Sequence, residues 1–199
     1  MPELSATVRD HRRAALARVM DRAGVPALLL AGSDWFEHAT NHPLAVQAWE
    51  RPHLLVLARD GRAAAVLPDI ARNRIDAQRA RGTLWLDEVA YYSEQPRQSG
   101  RRRLVHQMPE LAAEVVDGMG LARARIGVDA AGGPAGRVAA LLPELRLVPT
   151  LRWLRDARLV KHPDEIATMR AAAAIADHAL ARDAEGIRRG RLLQELVHA

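Results

Sequence analysis

The sequence predicts an α/β fold, a mixed β-sheet flanked by helices, and three observations predict it. Short apolar runs bounded by Gly, Pro or Asp recur along the chain, as strands buried on both faces do. Segments of helical period separate most of them, the alternation that places helices over a sheet. Between two of the runs, Arg59-Asp60-Gly61-Arg62 carries the Asp-Gly signal of a tight turn, which makes those strands antiparallel neighbours and the sheet mixed.

Taken in order, Ser5 to Ala23 reads as the first helix, with Val8, Ala15, Leu16 and Val19 as its apolar stripe and Gly24 as its stop. Ala27–Ala31, His53–Leu57 and Ala63–Leu67 read as buried strands, the last two joined by the Asp-Gly turn. A helix over Asp69–Arg81 follows Pro68, and Thr83-Leu84-Trp85-Leu86 is the next strand candidate. A loop through Tyr91–Arg102 leads to a helix of about Leu104–Met119, closed by Gly120. Arg125–Asp129 is a strand, Pro134–Leu142 a short helix and Leu145–Val148 a last strand. From Leu151 the pattern is helical only, with Ile166, Met169, Ala173, Ala176 and Leu180 forming a stripe that must pack on something.

At 199 residues the chain is long enough for one domain plus an appendage and short of two full domains. It contains no cysteine, which excludes a disulfide framework and a thiolate metal site. Met1-Pro2-Glu3 opens a charged segment instead of a basic-then-apolar leader, and runs such as Val25–Ala31 are too short to span a bilayer. The expectation is a soluble cytoplasmic protein with no membrane contact.

The formal charge of +5 raises nucleic acid as a partner, but the distribution argues against it. Of 29 basic residues only Lys161 is lysine, and the arginines are spread among acidic residues along most helices. The one dense patch, Arg97 with Arg101-Arg102-Arg103, reads as a solvated loop before a helix.

The segment from Leu151 to Leu180 carries the most information. Pro163 suits a first helical position, and Asp164 and Glu165 set negative charge against the positive end of the helix that follows. Its pattern, LR…R-L-V-K-x-P-x-E-I-x-x-M-R-x-A-x-x-I-A, resembles the junction of the creatinase/prolidase/Xaa-Pro aminopeptidase family, between a small N-terminal domain and a metal-binding "pita-bread" catalytic domain. Upstream, Arg125-Ile126-Gly127-Val128-Asp129 is similar to the family's "IGV-acid" strand. Asp34 to Asn41 sits where the family has D-N-I-x-Y-L-T-G; Asp34 and Thr40 agree, and Trp35, His38 and Asn41 depart. His162 stands where Ser or Thr is usual, which weakens the expected helix cap.

The resemblance implies a creatinase N-terminal-like α/β domain over residues 1–150, then the junction and first helices of a truncated catalytic domain over residues 151–199. It implies a non-catalytic domain of an Xaa-Pro peptidase or creatinase-like metallohydrolase. Such a domain contributes to a homodimer and to the rim of a peptide or small-molecule site. The parent's two divalent ions, Mn, Co or Zn, are bound by motifs that would lie beyond Ala199, so no cofactor and no catalytic or metal residue is expected in this chain. By the same resemblance the candidate rim is the stretch from Trp35 to Arg51, with Trp35, His38, His42, Trp49 and Arg51 as its residues. The alternatives are a stand-alone binding or dimerisation module without a catalytic half and, more weakly, a nucleic-acid binder using Arg97–Arg103.

Other motifs read as structure. His38 and His42 are four apart, the spacing of metal ligands on a helix, but Asn41 and Pro43 disfavour a helix there and no third ligand follows. Ser33 lacks a nucleophile elbow, and Gly132-Gly133-Pro134 is a strand-to-helix connector, not a phosphate loop.

Overall fold

The computed structural model describes residues 4–44, 51–93, 107–187 and 194. Its helices are α1 (Ala6–Ala23), α2 (Ser33–Thr40), α3 (Arg72–Arg81), α4 (Met108–Gly118), α5 (Gly133–Leu141), α6 (Leu151–Ala157) and α7 (Pro163–Gly186). Its strands are β1 (Ala27–Leu30), β2 (Leu54–Ala58), β3 (Ala63–Pro68), β4 (Glu88–Tyr92), β5 (Arg125–Val128) and β6 (Arg146–Pro149). Among the described residues no helix is long and apolar enough to cross a membrane. The arginine patch at Arg97–Arg103 and Trp49 lie outside the described residues.

Two compact units are present: residues 9–160, and the described residues up to Val8 together with those from Lys161 onward. The first holds a six-stranded sheet in the order β4-β3-β2-β1-β5-β6. The β2–β3 pair is the predicted hairpin, with Leu57 opposite Ala63 and Gly61 at φ +95° in the turn. β1 is antiparallel to β2, whereas β3–β4, β1–β5 and β5–β6 are parallel, so the sheet is mixed.

Strand alternation assigns the core. Ala27 and Leu29 of β1 and Leu54 and Val56 of β2 face one side, where α4 and α5 cover them with Ala112, Val116, Ala135 and Val138. Leu28, Leu30, Leu55 and Leu57 face the other, against Leu16 and Met20 of α1, Phe36 of α2, Ile75 of α3 and Leu154 of α6. β1, β2 and β3 are buried at every position, as expected of strands covered on both faces. Gly127 in β5 permits the close packing, since a Cβ there would stand 2.7 Å from Leu28 Cδ2 and 2.8 Å from Thr150 Cγ2.

The structure corrects three expectations. Thr83–Leu86 is not a strand; the edge strand is Glu88–Tyr92, five residues further on. The backbone of the earlier segment is committed elsewhere. Trp85 N–H donates to Thr40 O at 3.0 Å, Trp85 O accepts from the Arg13 guanidinium at 2.7 Å, and Thr83 O accepts from Asn41 Nδ2 at 2.9 Å. Its apolar side chains plug the α1–α2–α3 face instead of joining a ladder.

Residues 33–40 form a helix, although Asn41 and Pro43 had argued against one. Both residues terminate it. Asn41 adopts the left-handed conformation at φ 57°, and its N–H bonds to Glu37 O, the arrangement of a helix C-terminus, with Pro43 just beyond.

In the second unit, His162 does cap α7. Its Nδ1 accepts from Asp164 N–H at 3.2 Å, while Glu165 Oε2 accepts from His162 N–H at 2.8 Å, a complete capping box built on imidazole. Ser5 Oγ donates to Asp164 Oδ2 at 2.8 Å. The predicted stripe on α7 is exposed at Ile166, Met169 and Leu180.

Candidate functional site

β1 and β5 run parallel side by side, yet the helices that follow them pack on opposite faces of the sheet, α2 on one and α5 on the other. In open α/β sheets such a divergence leaves a crevice at the strand C-termini. Here the chain fills it with its own carboxylate. Asp129 accepts Ala31 N–H at 3.0 Å and Gly32 N–H at 2.6 Å, placing negative charge at the positive end of α2. A Cβ on Gly32 would lie 2.8 Å from Asp129 Oδ2, so glycine is required for that approach.

Thus oriented, α2 buries Phe36, Ala39 and Thr40 and carries the chain to His42. Thr40 Oγ1 donates to Phe36 O and accepts from His42 N–H, and Glu37 Oε1 accepts from Leu44 N–H at 2.8 Å. Gln78 of α3 closes the corner: its Nε2 donates to Asn41 O at 3.1 Å, and its Oε1 accepts from His42 Nδ1 in a short bond. His53, immediately before β2, is wholly buried and its Nδ1 donates to Arg51 O at 3.4 Å. Tyr92 Oη holds the neighbouring Pro52 O at 2.8 Å. The Phe36 ring meets both imidazoles edge-on, with centroids 5.3 Å from His53 and 6.3 Å from His42.

The result is a cavity of about 180 Å³ lined by His42, Arg51, His53, Arg74 and the apolar Pro43, Leu44, Pro68, Ile70 and Ala71. Both imidazoles spend their Nδ1–H on fixed oxygen acceptors, so the neutral rings keep a lone pair on Nε2. His53 Nε2 is buried without a hydrogen-bond partner among the described residues.

Burial pushes the pKa of both histidines below the ordinary 6.5, with Gln78 partly opposing the shift at His42 and the Arg51 carbonyl partly opposing it at His53. The folded state therefore favours neutral rings. Between the ordinary value and the lowered ones the unfolded chain binds more protons, so stability is fully present above about pH 6.5 and declines as pH falls through that window. The urea midpoint is expected to drop between about pH 8 and about pH 5, and less so in His53→Gln. A midpoint that rises on acidification would contradict neutral burial.

Of the candidate rim residues, the structure brings His42 and Arg51 together at this cavity. Trp35 and His38 lie on α2 away from it. Trp35 packs on the α1-side core beneath the Arg158 guanidinium, 5.0 Å from its ring, and the His38 carbonyl accepts from Arg12 at 3.2 Å. His53, Arg74 and Gln78 were not anticipated. A histidine directly before an all-apolar strand was the available signal for His53, whereas Arg74 and Gln78 reach the site only through the placement of α3.

Among the described residues that line the cavity, two imidazoles stand with two guanidiniums and no carboxylate, a donor set that does not fit a divalent metal. Among the described residues no group of three or more His, Asp or Glu side chains is placed to hold a metal ion.

No family model and no curated protein sequence matches the chain. Solved structures do. Prolidase from Thermococcus sibiricus is similar at a TM-score of 0.67 and 19% identity, over 98% of this chain and 48% of that one. Dipeptidase PepE from Mycobacterium ulcerans is similar at a TM-score of 0.63 and 22% identity, over 98% and 48%. X-Pro aminopeptidase from Thermotoga maritima is similar at a TM-score of 0.67 and 11% identity, over 92% and 46%. The chain spans about half the length of the solved chains it matches. It has the α/β fold found in one half of the prolidase, dipeptidase and X-Pro aminopeptidase structures.

Proposed function

We propose that the chain is the non-catalytic N-terminal domain of an Xaa-Pro peptidase or creatinase-like metallohydrolase of the cytoplasm, its residues 1–150 forming that domain and residues 151–199 the junction and first catalytic-domain helices. The observation that carries this reading is the match of nearly the whole chain to about half of each solved peptidase. The order of the motifs, from the Gly127-bearing strand with Asp129 directly after it to the capped helix at Pro163, agrees with it.

In this reading the parent enzyme hydrolyses a peptide or related amide with metal-activated water, on two divalent ions held by its other half. This chain contributes to a homodimer and to the rim of the site, with His42 and Arg51 as the rim residues the cavity brings together. The exposed Ile166 and Met169 on α7 are the proposed cover for a partner or for the remaining half.

The test is made on the purified chain. With added Mn²⁺, Co²⁺ or Zn²⁺ it is expected to leave Xaa-Pro dipeptides uncleaved, and in sedimentation it is expected to form a dimer that the joint Ile166→Glu and Met169→Glu substitutions shift toward monomer. Chelator-sensitive turnover would overturn the non-catalytic assignment. A strictly monomeric wild type at tens of micromolar would overturn the role in dimerisation.

A further inference from the structure

Beside the edge strand β4, under the C-terminal half of α4, lies a groove of about 310 Å³. We propose that it is a docking surface for an extended segment of a protein partner in which arginine alternates with apolar residues, added as a strand beside β4. The proposal is independent of the peptidase reading, since it rests on the sheet edge and α4 alone.

The sheet order leaves β4 at one edge, where among the described residues it pairs with β3 alone. An edge strand presents backbone N–H and C=O groups along its outer side, the template for strand addition. The alternation of β4 sets the pattern such a segment carries. Ala90 packs toward α4, whereas Val89 and Tyr91 pack on the opposite core, and Glu88 shares the face of Ala90. A strand laid alongside at the ~4.8 Å spacing of a sheet therefore sets every second side chain into the groove and the others beside Val89 and Tyr91. The other edge strand, β6, offers four residues and ends on Pro149.

The groove has an apolar floor, with Ala63, Ala64 and Ala90 of the sheet under Leu111, Val115 and Met119. Those last three are only partly buried, so covering them is favourable. The rim is acidic: Asp87, Glu88 and Glu114 stand against one cation, Arg62. Arg62 is already engaged, its Nε donating to Asp60 Oδ2 at 2.8 Å, and Asp87 Oδ2 accepts from Ala63 N–H at 2.7 Å. Glu88 and Glu114 are exposed and have no hydrogen-bond or ion-pair partner among the described residues. This local sign is opposite to the chain's net charge of +5. Any segment that covers the floor takes these carboxylates out of water, which costs free energy unless the segment brings cations to them. Arginine fits both parts, since its planar guanidinium bonds a carboxylate in bidentate fashion while its stem lies on apolar surface.

Binding is measured on the intact chain by amide NMR titration, without any turnover, so its failure is separable from that of the proposed enzyme role. The probe is acetyl-Val-Arg-Val-Arg-Val-amide. The controls are the same peptide with glutamate for arginine, the same peptide with citrulline, which keeps the shape and removes the charge, and arginine amide, which has no strand to add. The probe is expected to bind in the millimolar range or tighter, each control about tenfold or more weaker, and the affinity to fall between about 50 mM and 500 mM salt. The amides that shift are expected in β4 and α4, with those of β6 unmoved.

Glu88→Gln and, separately, Glu114→Gln are each expected to weaken binding about threefold or more, and the pair together about tenfold or more, while retaining the wild-type circular dichroism spectrum. Absence of binding overturns the proposal, as does binding that is indifferent to both glutamate substitutions or equally tight with citrulline. Arginine amide binding as tightly as the peptide would reduce the groove to a site for a single cation and overturn the strand addition. Shifts of the β4 amides with protein concentration alone, in the absence of peptide, would make a second copy of the chain the occupant and overturn the assignment of a basic partner.

Discussion

Asp129→Ala is expected to destabilise the unit of residues 9–160 by about 3 kcal/mol, because hydrogen bonds to a charged acceptor contribute ~1.5–3 kcal/mol each and two are lost. The carboxylate is 8% exposed and is the acceptor for the N–H groups of Ala31 and Gly32. Alanine leaves both donors in a crevice that also forms the N-terminus of α2, and it removes the charge that complements the helix dipole. For a domain of this size the melting temperature should fall by about 6–12 °C. Asp129→Asn, whose side-chain oxygen retains one acceptor, should fall between alanine and the wild type. A loss in Asp129→Ala below about 0.5 kcal/mol, within the range of ordinary surface substitutions, would contradict the role given to the clamp. The expected consequence reaches the cavity too, since α2 delivers Phe36 and His42 to it.

Phe36→Ala is expected to cost about 4 kcal/mol, in the upper range of large-to-small core changes. Phe36 is fully buried in the α1-side core and also forms the floor against which both imidazoles rest. Its removal takes away core contact and opens a void beside a cavity that already exists, so the corner has little apolar material with which to refill it. The urea midpoint should drop with the m-value unchanged. Phe36→Leu, which keeps much of the volume and loses the edge contacts, should cost less than half as much. Equal stability of Phe36→Ala and wild type would mean that the corner does not pack as described.

The sequence and the structure agree where burial is uniform. Ala27–Leu30, Leu54–Ala58 and Ala63–Pro68 are central strands covered on both faces, so their continuous apolar runs carry the pattern by themselves. The edge was harder to read. Glu88–Tyr92 is half exposed and opens on a charge, while Leu84-Trp85-Leu86 looks like a strand because its side chains are buried, although its backbone bonds to Arg13 and Thr40. Burial and ladder pairing coincide in a central strand and separate at an edge.

The helix at Ser33–Thr40 shows a different ambiguity. Asn41 and Pro43 end a helix as readily as they prevent one, and the deciding partner, Asp129, is 97 residues away from Gly32 in sequence. The same holds for the site. His42 and Arg51 were visible as neighbours of one segment, whereas His53 joins them from just before β2, and Arg74 and Gln78 from α3, through tertiary packing that no local period encodes. His162 shows the limit of residue-type preference, since its Nδ1 performs the capping role usually taken by a hydroxyl or carboxylate.

The central claim is that α2, β2 and α3 close a corner in which Phe36 holds His42 and His53 side by side with their rings neutral. Proton NMR on the wild-type chain tests it most directly, through nuclear Overhauser contacts from the Phe36 ring and the titration of the histidine Cε1 protons. The structure predicts contacts from Phe36 to both imidazoles, at centroid separations of 5.3 and 6.3 Å, and two histidine resonances with midpoints below the ordinary 6.5. A Phe36 ring without contact to either histidine, or both histidines titrating at or above the ordinary value, would contradict it.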